Sequence, residues 1–140
     1  MLNQTVCCAE SCTGGWLAKV MTDVAGSSAW FERGFVTYSN AAKQEELGVP
    51  AEILDEYGAV SEATARAMAL GALQHSHAEH SIAITGIAGP SGGSEHKPVG
   101  LVWFAWATLG QIRHCDSLVF TGDREAIRRQ AVFYALQGLL

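Results

Sequence analysis

CCAESCTGGWLAK, residues 7–19, starts as a β-prone apolar run and ends with the residue spacing of a helix. The residues before it lengthen the strand to QTVCCAES, 4–11. Beyond it, Trp16, Leu17, Val20, Met21 and Val24 recur at helical spacing, and Gly26 is placed to end that helix. Ser11, Cys12, Thr13, Gly14 and Gly15 lie where the strand becomes the helix. Such a turn presents unpaired backbone N–H groups and the positive end of a helix dipole.

The rest of the chain repeats this alternation. AWFERGFVTYSN places a second strand near Gly34–Ser39. Asn40 is expected to cap a helix from Ala41 to Leu47 that stops at Gly48, and Pro50 to open a short helix running toward Tyr57. Ser61 starts the clearest helix, SEATARAMALGALQHSHA, with acid in its first turn and histidines in its last. SIAITG reads as a third strand and IAGPSGGSEHKP as a glycine-dense loop. VGLVWFAWATLG and IRHCDSLVF read as two more strands, joined as a hairpin near Leu109-Gly110. TGDREAIRRQAVFYALQGLL closes the chain as an amphipathic helix, with Ala126, Ile127, Gln130, Ala131, Tyr134 and Leu139 near its inner stripe. The order β-α-β-α-α-β-β-β-α predicts an α/β fold, a three-layer α/β/α domain with a mixed sheet of about five strands. Residues 1–140 are expected to form one domain.

Composition narrows the function. The net charge is −5, which gives no electrostatic footprint for DNA or RNA. No stretch approaches the ~18 apolar residues of a membrane span. Met1–Thr5 lacks a basic start, and no long apolar segment follows, so a cytoplasmic protein is expected. Four cysteines in this context read as reduced thiols. Cys7 and Cys8 point to opposite faces of their strand, and Cys115 on a late strand reads as structural. No C-x-x-C spacing occurs, and His75, His77 and His80 lack the i, i+4 pairing of a helical metal site, so neither a metal nor a cofactor is expected.

The Ser11 turn is the strongest candidate for chemistry. Ser11 could act as a nucleophile, with neighbouring N–H groups holding an oxyanion. The commoner use of Ser11 or Thr13 is to cap the helix, and the residues alone favour that use. Cys12 is a rival nucleophile. A serine needs a base, and the histidines are poorly placed to supply one. A lysine serves if burial lowers its pKa from about 10.4 toward 7–8. Lys43 follows Tyr38-Ser39-Asn40, where the second strand ends, and open α/β sheets bind ligands at such strand ends. Taken alone, Lys43 reads as a surface lysine on a short helix. TGIAGPSGG, Thr85–Gly93, offers free N–H groups but matches no nucleotide-binding glycine motif. GDREAIRR sets Arg124 and Arg128 one turn apart at a helix start, where cations oppose the dipole and suit an anionic ligand. A solvated face is the equal alternative.

Together, AESCTGG, GSSAWFERGFVTYSNAAK, GAVSEATA, TGIAGPSGGSEHKPVG and GDREAIRRQA resemble the C-terminal domain family of the CinA competence/damage-inducible proteins. The similarity is strongest to the stand-alone, PncC-type nicotinamide-nucleotide amidohydrolases. The resemblance implies hydrolysis of the carboxamide of nicotinamide mononucleotide to nicotinate mononucleotide and ammonia. It implies a metal-independent Ser–Lys dyad of Ser11 and Lys43, with Tyr38 assisting and Thr85 orienting. It implies substrate contacts from Cys12, Thr13, Gly14, Thr85, Gly86, Gly89, Arg124 and Arg128, the last a less direct match. A catalytically silent nucleotide-binding relative is the alternative. The family usually carries a helix ahead of the first strand, whereas this chain begins almost at the strand. Absence of that helix would expose apolar sheet surface, which invites oligomer contact or instability. A homodimer is expected, since shared pockets suit a domain this small.

Overall fold

A computed structural model describes residues 4–139. Its elements run β1 (Val6–Glu10), α1 (Trp16–Thr22), a 3-10 turn (Ser27–Ala29), β2 (Phe31–Val36), α2 (Asn40–Leu47), α3 (Ala51–Tyr57), α4 (Glu62–Gln74), β3 (His80–Gly86), β4 (Leu101–Thr108), β5 (Gln111–Val119) and α5 (Arg124–Leu139). The five strands form one sheet in the order β2-β1-β3-β4-β5. β1 is parallel to both β2 and β3, whereas β4 and β5 are antiparallel additions. This is the three-layer mixed fold that the alternation of elements implies.

Side-chain alternation along β1 divides the core in two. Val6 and Cys8 face a layer of α1 and α5, packing with Leu17, Met21, Ile84, Phe104 and Ile127. Cys7 and Ala9 face α2, α3 and α4, packing with Leu47, Leu54, Met68 and Ala69. The four cysteines are free thiols.

Several boundaries differ from the sequence expectation, each for a local reason. β2 ends at Val36, three residues before Ser39, because Thr37 and Tyr38 turn their carbonyls toward the Lys43 amine. The cap of α2 is Ser39 rather than Asn40, its hydroxyl accepting from the Ala42 N–H at 3.0 Å. Pro50 is the residue before α3 rather than its first. α1 starts at Trp16 and ends at Thr22, while Gly26 introduces the 3-10 turn. Asp123 caps α5 through its side chain, 2.9 Å from the Ala126 N–H. Met1–Asn3, on which the expectation of no leader partly rests, and Leu140, the last residue of the expected closing helix, lie outside the described residues.

Glu10 ends β1 on the α1 face with no exposed surface. One carboxylate oxygen accepts from the Thr13 hydroxyl at 2.6 Å, the Gly15 N–H at 3.2 Å and the Leu17 N–H at 2.9 Å. The other accepts from the Ala18 N–H at 2.9 Å. A buried anion thus satisfies the first amides of α1 and sits at the positive end of its dipole. No hydroxyl caps this helix; its N-cap is Gly15 at φ 106°.

Two stability predictions follow from these contacts. Glu10→Gln replaces one acceptor oxygen by a donor facing another donor, so chemical denaturation is expected to show a loss of about 2 kcal/mol. At the β4–β5 hairpin, Leu109 holds φ 51° with its side chain 74% exposed, and Gly110 holds φ 84°. Both central residues are left-handed, the geometry that favours Asn-Gly. Leu109→Asn is therefore expected to raise the melting temperature, by roughly 3 °C for a gain of about 1 kcal/mol.

Candidate active site

Parallel β1, β2 and β3 bring their C-terminal ends together, and the chain crosses from one side of β1 to the other between β2 and β3. Ligands of open α/β sheets bind at such a switch point. Ser11 follows β1 directly and stays tied to β3, its N–H donating to the Ile84 carbonyl at 3.0 Å. Lys43 arrives from α2, one turn inside the Ser39 cap. With Leu47 one turn later, it forms the buried face of that helix.

Lys43 is 1% exposed. Its Nζ lies 3.0 Å from Ser11 Oγ, 3.0 Å from the Thr37 carbonyl and 3.1 Å from the Tyr38 carbonyl. Carbonyls only accept, so two amine hydrogens are committed to them. The remaining tetrahedral position faces Ser11 Oγ. In the charged form it holds a third hydrogen, donated to Ser11. In the neutral form it holds the lone pair, ready for the serine proton. Burial pushes the Lys43 pKa below the ordinary 10.5. A Cys12 thiolate would raise it again, but burial also pushes the Cys12 thiol up to about 12, so that residue stays protonated. A thiol held protonated by burial is a poorer nucleophile than a thiolate, which disfavours Cys12 as the rival to Ser11.

The turn after Ser11 is bonded from within. The Gly14 N–H donates to the Ser11 carbonyl and the Trp16 N–H to the Thr13 carbonyl, both at 3.0 Å. Gly14 at φ 59° and Gly15 at φ 106° let the chain double back this tightly. Of the amides that open α1, those of Gly15, Leu17 and Ala18 donate to Glu10, so the carboxylate takes up donors that the sequence reading left free. Among the described residues, the Cys12 and Thr13 N–H groups have no acceptor. They are the donors left beside Ser11.

The remaining sequence candidates occupy varied roles. Thr13 is fully buried and spends its hydroxyl on Glu10, so its side chain is committed within the turn. Thr85 follows Ile84, whose carbonyl accepts from the Ser11 N–H, but its hydroxyl donates to the Ala59 carbonyl at 2.8 Å. The Tyr38 side chain is 60% exposed, and its phenol oxygen accepts from Arg124 at 3.2 Å. It is the Tyr38 carbonyl that reaches the Lys43 amine. Arg124 also donates to the Gly89 carbonyl at 2.7 Å, joining the glycine loop to the Tyr38 rim. A Cβ on Gly86 would meet the Leu101 carbonyl at 2.8 Å, so this glycine serves strand contact. Arg128 donates from Nε to the Cys12 carbonyl and from Nη2 to the Thr13 carbonyl, both at 3.1 Å. A cleft of about 450 Å³ opens along Thr13, Gly14, Gly15, Trp16, Lys19 and Arg128. Sequence reasoning missed Glu10, although a lone carboxylate ending an apolar strand signals a buried partner. It also missed the Thr37 carbonyl, which no side-chain pattern reveals. No metal-ligating cluster occurs among the described residues, and no helix among them is long and apolar enough to cross a membrane.

Comparison with known proteins agrees with this architecture. The sequence model of the CinA C-terminal domain matches residues 1–140. The chain is 61% identical to the nicotinamide-nucleotide amidohydrolase PncC of Escherichia coli K12, covering 96% of this chain and 82% of that protein. It is 52% identical to the Pseudomonas putida protein of the same name, covering 99% and 86%. A crystal structure of the competence damage-inducible protein A from Klebsiella pneumoniae superposes with a TM-score of 0.94 at 42% identity, covering 98% of this chain and 84% of that one. With its whole length matched by one family model and its fold shared with a solved relative, this chain belongs to the CinA C-terminal domain family.

Proposed function

We propose that the protein hydrolyses the carboxamide of nicotinamide mononucleotide, with Ser11 as nucleophile and Lys43 as its base. The supporting observation is the Lys43 amine, 3.0 Å from Ser11 Oγ and held by two carbonyls that leave one position for the serine proton. The relatives named as nicotinamide-nucleotide amidohydrolases supply the substrate class.

Neutral Lys43 takes the Ser11 proton as Oγ attacks the carboxamide carbon. The C=O bond opens to an oxyanion, which the Cys12 and Thr13 N–H groups stabilise. As the oxyanion collapses, the C–N bond breaks and the Lys43 ammonium gives its proton to the departing ammonia. An ester on Ser11 remains. Lys43, neutral again, takes a proton from water as hydroxide adds to the ester; collapse expels Ser11 Oγ, which recovers that proton from Lys43, and nicotinate mononucleotide leaves. The sum is amide plus water giving acid and ammonia. Arg124, exposed at the rim, is the cation available to the substrate phosphate. The reaction belongs to recycling of pyridine nucleotides.

Ammonia release from nicotinamide mononucleotide tests this reading. Ser11→Ala and Lys43→Met are each expected to lower kcat/KM by about 10³-fold or more, with melting temperatures near that of the parent. An unchanged rate in Ser11→Ala removes the dyad, and no ammonia from the parent chain removes the substrate. The base acts only uncharged, so kcat/KM is expected to rise with pH and level off above the Lys43 pKa, which lies below 10.5. A rate that falls as pH increases from neutrality would contradict a lysine base.

A further inference from the structure

Arg128 has a task that the substrate-binding expectation does not describe. Its guanidinium, half-buried on the second turn of α5, lies 5.6 Å from the centre of the Trp16 ring. Trp16 opens α1, so the cation–π contact fixes the guanidinium over the turn. Among the described residues no carboxylate lies within 4.0 Å of it. Its charge is delivered to the Cys12 and Thr13 carbonyls. Gly14 leaves room for the approach, since a Cβ there would sit 3.3 Å from Nη2.

The covalent connectivity of those carbonyls is decisive. The Cys12 carbonyl and the Thr13 N–H belong to one peptide unit. A cation on the carbonyl polarises that unit and makes its N–H a stronger donor. The Thr13 carbonyl shares its unit with the Gly14 N–H, which donates to the Ser11 carbonyl at 3.0 Å. The Ser11 carbonyl in turn shares its unit with the Cys12 N–H. Both unpaired amides beside the nucleophile therefore trace back to Arg128, one through a single peptide and the other through two. From the opposite side, Glu10 grips the Thr13 hydroxyl and the Gly15 N–H, so the turn is fixed at both edges.

We infer that Arg128 is a positioning residue for the amide-cleaving step, orienting and polarising the Cys12 and Thr13 N–H groups as the oxyanion site rather than binding the substrate phosphate. The inference rests on the Ser11 nucleophile proposed above. It assigns oxyanion stabilisation to a side chain that touches no reacting atom, so its loss is felt in the transition state and not in substrate binding.

The experiment compares the parent chain with Arg128→Ala, Arg128→Lys and Ser11→Ala. Steady-state ammonia release from nicotinamide mononucleotide is one readout. The other is the rate at which a small fluorophosphonate labels Ser11, followed by intact mass. In that labelling Oγ bonds to phosphorus, fluoride leaves, and a phosphoryl oxygen requires the same two amides. Arg128→Ala is expected to lower kcat about 10²-fold, the scale of a lost oxyanion donor, with KM within about threefold of the parent. It is also expected to slow labelling at least tenfold. Arg128→Lys, which keeps the charge but not the two-pronged grip, is expected to fall between. Added guanidinium ion is expected to restore part of kcat in Arg128→Ala but not in Arg128→Lys. A raised KM with kcat and labelling unchanged overturns the inference and makes Arg128 a phosphate ligand. Parental labelling in a folded Arg128→Ala chain overturns it as well. If the parent is labelled at Ser11 yet releases no ammonia, the substrate reading fails while labelling still decides the role of Arg128. A parent chain that is neither labelled nor active overturns both.

Discussion

Glu10 places a carboxylate where water cannot reach it, and its partners are the Thr13 hydroxyl and the opening amides of α1. An isolated buried anion is prohibitively unfavourable, so the strand end, the turn and the helix start must assemble together around it. That requirement fixes the path of residues 11–15. It points Ser11 toward α2 and leaves the Cys12 and Thr13 amides unpaired beside it. The dipole of α1, which elsewhere attracts ligands, is here consumed in holding the turn.

The opposite face of β1 makes a costlier arrangement. Lys43 is buried on α2, where its charged form is poorly solvated. Such burial opposes stability and persists where it supplies function. Two backbone carbonyls at the end of β2 satisfy the amine in either protonation state. They also set its direction, so a flexible four-carbon side chain is held in one orientation. The early end of β2 and the buried amine are one feature: the peptides that leave the sheet are those that bond Lys43.

The turn is thus held by a carboxylate from its own strand and by a guanidinium from the last helix. Arg124 and Arg128, one turn apart on α5, divide their work. The first spans the rim between Gly89 and Tyr38, and the second reaches the Cys12 and Thr13 carbonyls. Closing the domain with α5 therefore completes the site as well as the core.

Local pattern made much of this legible before any coordinates. Period-2 alternation separated Cys7 from Cys8, helical spacing exposed α1, α4 and α5, and Leu109-Gly110 marked the hairpin. The Ser11 turn stood out because serine, threonine and two glycines crowd a strand-to-helix junction. Lys43 as a base was not readable from its own surroundings, which describe an ordinary surface helix; only resemblance to a family selected it. Tyr38 shows the limit of side-chain reasoning, because its carbonyl rather than its phenol meets the amine. The Arg128 contact joins groups 116 positions apart in sequence, beyond any local window. Secondary structure and facing follow from interactions within a few residues, and those the sequence determined by itself. The state of the amine, the direction of the carbonyls and the grip on the turn depend on burial and on distant groups brought within about 3 Å, and those only the tertiary structure decided.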